Sequence, residues 1–155
     1  MAHIKVQTED FDVGAEIAAL TAGRTDIGGI GCFVGTVRDN VKGAAQAVAG
    51  MTLEHYPGMT ERAIARITDE AMHRWPLLGC TVIHRIGALR PGENIVLVLT
   101  ASAHRQAALD ATGFLIDWLK TKAPFWKRED FTTGDGAWVD AREEDDAAAS
   151  RWMTT

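Results

Sequence analysis

Cysteine is scarce in this chain. Only Cys32 and Cys80 occur among 155 residues, far apart in apolar, strand-like stretches. That excludes a disulfide scaffold and reads as two buried free thiols suited to a reducing compartment. Long apolar runs are missing too, since none approaches the ~20 residues needed to cross a bilayer. The opening Met1-Ala2-His3-Ile4-Lys5-Val6 lacks the basic and apolar regions of a secretory signal, so the expected location is cytoplasmic. Positive charge is in deficit. A formal net charge of −5 argues against general affinity for nucleic acid or anionic membrane. Cofactor signatures are equally absent. Gly29-Ile30-Gly31-Cys32-Phe33-Val34 fails the dinucleotide fingerprint at its last glycine, and no P-loop or GxSxG elbow exists. His3, His55, His73, His84 and His104 show no HExxH spacing, and there is no CxxC pair. Neither a metal nor a cofactor is expected.

No repeat, low-complexity stretch or linker divides the chain, so residues 1–155 read as one domain with an acidic tail from about 143. Strands are expected over 4–8, 28–37, 48–56, 81–86 and 94–101. The run Ile95-Val96-Leu97-Val98-Leu99 is apolar on both faces, which marks a central strand. Asp39 to Ala45 is a polar, mobile loop, and Arg90-Pro91-Gly92-Glu93 is a turn sequence. Helices are expected over 12–22, 58–75 and 103–121. The second carries the stripe Met59, Ala63, Ile64, Ile67, Ala71, Trp75. The third carries Ala107, Ala108, Ala111, Leu115, Trp118, Leu119, with Ser102 as a plausible N-cap. A short hairpin around Gly134-Asp135-Gly136 and a loose helical tail from Arg142 complete the chain. Strands and helices mixed without strict alternation argue for an α+β fold.

Charge is unevenly spread. From His104 to Arg128 the chain holds Arg105, Lys120, Lys122, Lys127 and Arg128 against Asp110 and Asp117, which points to a local anion site. Three segments could build it. Phe33-Val34-Gly35-Thr36-Val37-Arg38 is an apolar strand ending in a guanidinium, which is either a solvated strand end or a bidentate grip for phosphate or carboxylate. Ser102-Ala103-His104-Arg105 opens a helix, where free N–H groups and the helix dipole favour an anion and disfavour unneutralised cations. The third runs from Leu119 to Glu129. Lys120 at a helix C-terminus is comfortable for structural reasons alone. Lys127 and Glu129 share a strand face beside Pro124, Phe125 and Trp126, and a lysine against apolar walls can serve as acid, base or nucleophile.

Taken together, the segments resemble the large subunit family of molybdopterin synthase. The likeness runs from about residue 4 to about 152. It also includes Leu53-Glu54-His55-Tyr56-Pro57-Gly58-Met59, His84-Arg85-Ile86-Gly87, Pro91-Gly92-Glu93 and Trp138-Val139. The resemblance implies an α/β hammerhead fold, a mixed or antiparallel sheet with packed helices, and a homodimer. Each subunit would bind a small ubiquitin-like sulfur carrier whose Gly-Gly tail ends in a thiocarboxylate, giving a heterotetramer. The implied substrate is cyclic pyranopterin monophosphate (precursor Z), converted by two sulfur transfers to the molybdopterin dithiolene. By the same resemblance Lys120 and Lys127 are essential lysines. Thr36, Val37, Arg38, His104 and Arg105 bind substrate, Lys127, Arg128 and Glu129 close the pocket, and Arg142 lies near it. The implied pocket spans a dimer interface. Two rivals use the same charges: a non-catalytic dimer that docks an acidic tail, and a phosphometabolite enzyme with a Schiff-base lysine.

Overall fold

The computed structural model describes residues 2–39, 48–131, 136–139 and 143–153, with the side chains of 48–49, 128–131, 136–139 and 143–146 left aside. Eight strands and four helices follow in the order β1 (Ala2–Gln7), α1 (Val13–Thr21), β2 (Gly29–Thr36), β3 (Val48–His55), α2 (Met59–Arg74), β4 (Leu77–Arg85), β5 (Gly87–Leu89), β6 (Asn94–Ser102), α3 (Arg105–Thr121), β7 (Phe125–Phe131), β8 (Gly136–Val139) and α4 (Glu143–Ser150). Two four-stranded sheets result, one ordered β1-β4-β6-β2 and the other β5-β3-β7-β8. The first is mixed, because β1 runs parallel to β4 while β4–β6 and β2–β6 are antiparallel. In the second, every pair is antiparallel. The α+β architecture expected from the sequence is therefore present, split over two sheets.

Apolar alternation explains the layering. Along β4 and β6, Cys80, Val82, Val96 and Val98 point to one face, where Ile64, Ile67 and Ala71 of α2 and Phe114, Leu115 and Leu119 of α3 close the main core. Ile83, Leu97 and Leu99 point to the other face, against Val13, Ile17 and Leu20 of α1. As its two-faced apolar run requires, β6 is internal to its sheet. Gly31 lets α3 lie directly on β2, since a Cβ there would overlap the Thr112 hydroxyl and the Ala108 carbonyl. At that crossing Thr100 Oγ1 donates to Ala108 O over 2.6 Å and meets Thr112 Oγ1 at 2.9 Å. After α4, Trp152 packs edge-on against Trp75 and Phe114, and its indole N–H donates to Asp117 over 2.7 Å. The expected tail helix is thus held on α3.

Several expectations need correction. β4 begins at Leu77, four residues before the expected strand, and β5 was not anticipated. Three residues carry too little periodicity to announce a strand, but Gly87–Leu89 leave the first sheet and pair with Met51–Leu53 in the second. Cys80 is buried, whereas Cys32 is exposed. Cys32 sits on the α1 face of edge strand β2, and α1 packs over β4 and β6 instead. Nor does Ser102 cap α3. It ends β6, fully buried, with its hydroxyl donating to Pro76 O over 3.0 Å; the N-cap is His104. Most of the expected polar loop, residues 40–45, and Gly134-Asp135 lie outside the described residues.

Candidate functional site

The return of α3 over the sheet, antiparallel to β6 and parallel to β2, divides the expected site residues between two ends of the molecule. Gly29 lies against Arg105, while Gly31 lies against Ala108 and Thr112, so α3 and β2 advance in the same direction. His104 and Arg105 consequently stand at the Gly29 end, whereas Lys120 stands toward the opposite end of β2. A helix of 17 residues spans about 25 Å. Within one chain, the His104-Arg105 pair and Lys120 cannot face one small ligand.

At the Lys120 end, the two sheets meet. Val37 is buried among Met51, Leu53 and Leu89. Its backbone is tied to the turn after β5, with Val37 N–H donating to Glu93 O at 2.9 Å and Gly92 N–H donating to Val37 O at 2.8 Å. Thr36 and Arg38 on either side are exposed. Leu53 is the cross-strand partner of Lys127, and His55 is that of Phe125. Cross-strand partners share a face, so Leu53, His55, Phe125 and Lys127 look the same way. Trp126 looks the opposite way, 38% exposed and edge-on to Tyr56 at 4.2 Å. The apolar wall beside Lys127 is therefore Phe125, and Trp126 takes no part in it. Arg128 and Glu129 occupy β7 positions opposite Thr52 and Met51; their side chains, and Arg142 altogether, lie outside the described residues.

Two histidines join this end, and the sequence assigned neither a task. His84 ends the inner face of β4, 7% exposed, and its ring stacks on Phe125 at 3.9 Å with 19° between planes. Burial pushes its pKa down to about 4, against the pull of the Arg85 carbonyl; the charges of Lys120 and His55 push the same way as burial. His55 Nε2 in turn lies 3.7 Å from Glu61 Oε1, an oxygen with no hydrogen-bond partner, while Glu61 Oε2 accepts the Gly58 N–H at 2.9 Å. A sequence signal for His84 did exist. It falls in register with Cys80 and Val82, so an imidazole occupies an inward position of a core strand. Arg85 beside it is structural, its guanidinium donating to Thr8 O at 3.0 and 3.1 Å and to Asn94 O at 2.9 Å.

The other end is simpler. His104 and Arg105 are exposed at the start of α3, no side chain caps that helix, and its first turn holds no acid. Positive charge there opposes the helix dipole, and the free N–H groups of the first turn await an acceptor. Among the described residues no three His, Cys, Asp or Glu side chains gather as a metal cage. No helix among them is long and apolar enough to cross a membrane.

The His84–Phe125 stack, with Lys127 on the same β7 face, and the remote basic start of α3 can be set beside known proteins. The MoaE protein family matches residues 6–122. The chain belongs to that family. The molybdopterin synthase catalytic subunit of Mesorhizobium japonicum is 58% identical over 153 residues, covering 98% of this chain and 94% of its own. That span takes in β7 and Lys127, which lie past the family match. Among solved structures, the molybdopterin biosynthesis MoaE protein of Burkholderia ambifaria superposes with a TM-score of 0.83 at 50% identity, covering all of both chains. Molybdopterin synthase from Staphylococcus aureus keeps the fold at 26% identity, with a TM-score of 0.78 over 86% of this chain and 94% of that one. The hammerhead-type α+β fold and the family expected from the sequence are both met.

Proposed function

We propose that this chain is the catalytic subunit of a cytoplasmic molybdopterin synthase. It moves sulfur from a small carrier's C-terminal Gly-Gly thiocarboxylate to cyclic pyranopterin monophosphate, forming the dithiolene. Its membership of the MoaE family supports this reading. What supports it is the stacking of His84 on Phe125, on the β7 face that carries Lys127, with the Lys120 charge acting on the same ring. In this reading Lys120 and Lys127 act together with Arg38, so that cations neutralise two anions at once. The phosphate of the pterin and the carrier's terminal thiocarboxylate are those anions.

In this reading Arg38 holds the phosphate with His104 and Arg105. Because the latter pair stands about 25 Å from Lys120 in its own chain, it serves the pocket of the partner protomer. Thr36, Val37, Arg128, Glu129 and Arg142 complete the walls. Lys120 aligns the thiocarboxylate, and Lys127 moves protons or stabilises charge as oxygen leaves and sulfur attaches. The nucleophilic sulfur belongs to the carrier, so Cys32 and Cys80 have no catalytic part. The subunits would form a homodimer carrying two carriers. Mixing the protein with thiocarboxylated carrier and precursor Z tests the reading: dithiolene product and a carrier returned to carboxylate are expected. A carrier that binds but keeps its sulfur would replace this reading with a docking protein. Borohydride trapping of the substrate on Lys120 or Lys127 would replace it with Schiff-base chemistry.

A further inference from the structure

We propose that Thr60 is a positioning residue whose buried hydroxyl fixes the turn between α3 and β7, and with it the placement of Lys120 and Lys127. The proposal deepens the functional reading above and rests on it only for the reaction those lysines serve. Thr60 lies in the first turn of α2 and is fully buried. Its Oγ1 donates to the carbonyl oxygen of Pro124 at 3.1 Å. The same oxygen accepts the Tyr56 N–H at 3.1 Å, and the Thr60 N–H donates to Tyr56 O at 2.9 Å. A carbonyl can only accept and an N–H can only donate, so both roles of the hydroxyl are fixed. One side chain thus joins the end of β3, the start of α2 and a turn 64 residues further along the chain.

Pro124 stands four residues after Lys120 and three before Lys127, so its placement sets how the last turn of α3 leads into β7. Proline has no N–H, which leaves the carbonyl as its one backbone group able to make a hydrogen bond. Its neighbours bond locally, Lys122 N–H to Trp118 O and Phe125 N–H to Ala123 O, each at 2.8 Å. Ala123 and Phe125 also pack against the main core. Apolar contacts set the depth of a turn but act without direction, and the Thr60 hydroxyl supplies the direction. Register with β3 then carries that placement along β7, since His55 pairs with Phe125 and Leu53 with Lys127. Tyr56, held by the same hydroxyl, meets Trp126 edge-on at 4.2 Å. A working site tolerates only about 0.5 Å of misplacement among its groups, so a directed joint between two such lysines has a mechanistic use. Valine would fill nearly the same volume, but it would leave the Tyr56 N–H and the Pro124 carbonyl without this partner.

Pro124-Phe125 is the only Pro-Phe pair in the sequence. Full-length protein labelled with 13C-carbonyl proline and 15N-phenylalanine therefore gives one carbonyl cross-peak, from Pro124, and tests the contact without any turnover. Thr60→Val, which removes the hydroxyl, should move that peak upfield and shift the backbone amide resonances of Lys120 and Lys127. Thr60→Ser, which keeps the hydroxyl, should leave both near wild type. An unmoved peak in Thr60→Val, or lysine amides indifferent to it, overturns the proposal. The second arm measures dithiolene formation with thiocarboxylated carrier and precursor Z. In folded Thr60→Val, kcat should fall about ten- to a hundredfold with KM within about twofold, while Thr60→Ser stays within about threefold of wild type. Wild-type kcat in folded Thr60→Val, or an equal loss in both variants, overturns the proposal. Should Thr60→Val not fold, Thr60→Ala takes its place in both arms with the same expected outcomes. If the wild type forms no dithiolene, the functional reading fails, and the NMR arm still decides whether Thr60 places the two lysines.

Discussion

The two helix starts best seen in this fold satisfy their free N–H groups in opposite ways. At α1, Asp12 caps the helix, its Oδ1 accepting the Ala15 N–H at 3.0 Å, and Glu16 adds negative charge to the first turn. At α3, His104 stands at the cap without a side-chain bond, Arg105 follows, and the first turn holds no acid. The α1 start is complete within the chain, as most helices are. The α3 start instead carries positive charge against its own dipole. Comparing the two teaches that a helix start can run against its own dipole, and the proposed function supplies a reason in a ligand anion. Lys120 at the other end of α3 suits the dipole and gives no such sign.

Four experiments would break or sharpen that contrast. The largest effect is expected from Lys120→Ala, which should lower dithiolene formation by about a hundredfold or more while thermal unfolding stays unchanged. Wild-type turnover would remove Lys120 from the site. Next, Arg105→Ala should cost about ten- to a hundredfold in kcat/KM, yet raise stability by about 0.3–1 kcal/mol, because a cation opposing the dipole is gone. Mixing Lys120→Ala and Arg105→Ala dimers should then restore about a quarter of the sites, since about half of the dimers become mixed and each of those holds one intact pocket of its two. No recovery would place both residues in a pocket of one protomer.

The third experiment is a pH series. The folded pKa of His84, about 4, lies below its ordinary 6.5, so the unfolded chain binds this proton first as pH falls. Its contribution is therefore full above pH 6.5, shrinks as pH drops, and is gone below about 4. Stability measured by urea unfolding should fall by about 2 kcal/mol between pH 7.5 and 5 from this group alone. His84→Phe should flatten that slope, and an unchanged slope would assign the acid sensitivity elsewhere. The smallest effect is reserved for the finished helix start. Asp12→Ala should cost about 1 kcal/mol of stability and leave dithiolene formation untouched, because that cap faces no ligand.

How much of this could be read from residues alone differs by element. The stripe Ala107, Ala108, Ala111, Leu115 announces α3, and the two-sided run at Ile95 to Leu99 announces an internal strand; both lie where expected. β5 escaped notice because three residues make no period. The exposure of Cys32 escaped because its own strand cannot say how far α1 reaches. At the site, Arg105 was legible as a charge at the wrong end of a dipole, a purely local conflict. His84 left one local sign, an imidazole at an inward position of a core strand, and His55 left none; only the β3–β7 register and the Phe125 stack bring the two to one face of β7.

By itself, then, the sequence determined which segments become helix and strand, and which residues are chemically out of place, because periodicity, capping and dipole arguments act over a few neighbouring positions. Only the tertiary structure decided that His84 stacks on Phe125 of β7 while Arg105 stands at the Gly29 end of the fold. Direction of packing, strand register and the length of α3 are properties of segments far apart in the chain, and no local pattern encodes them.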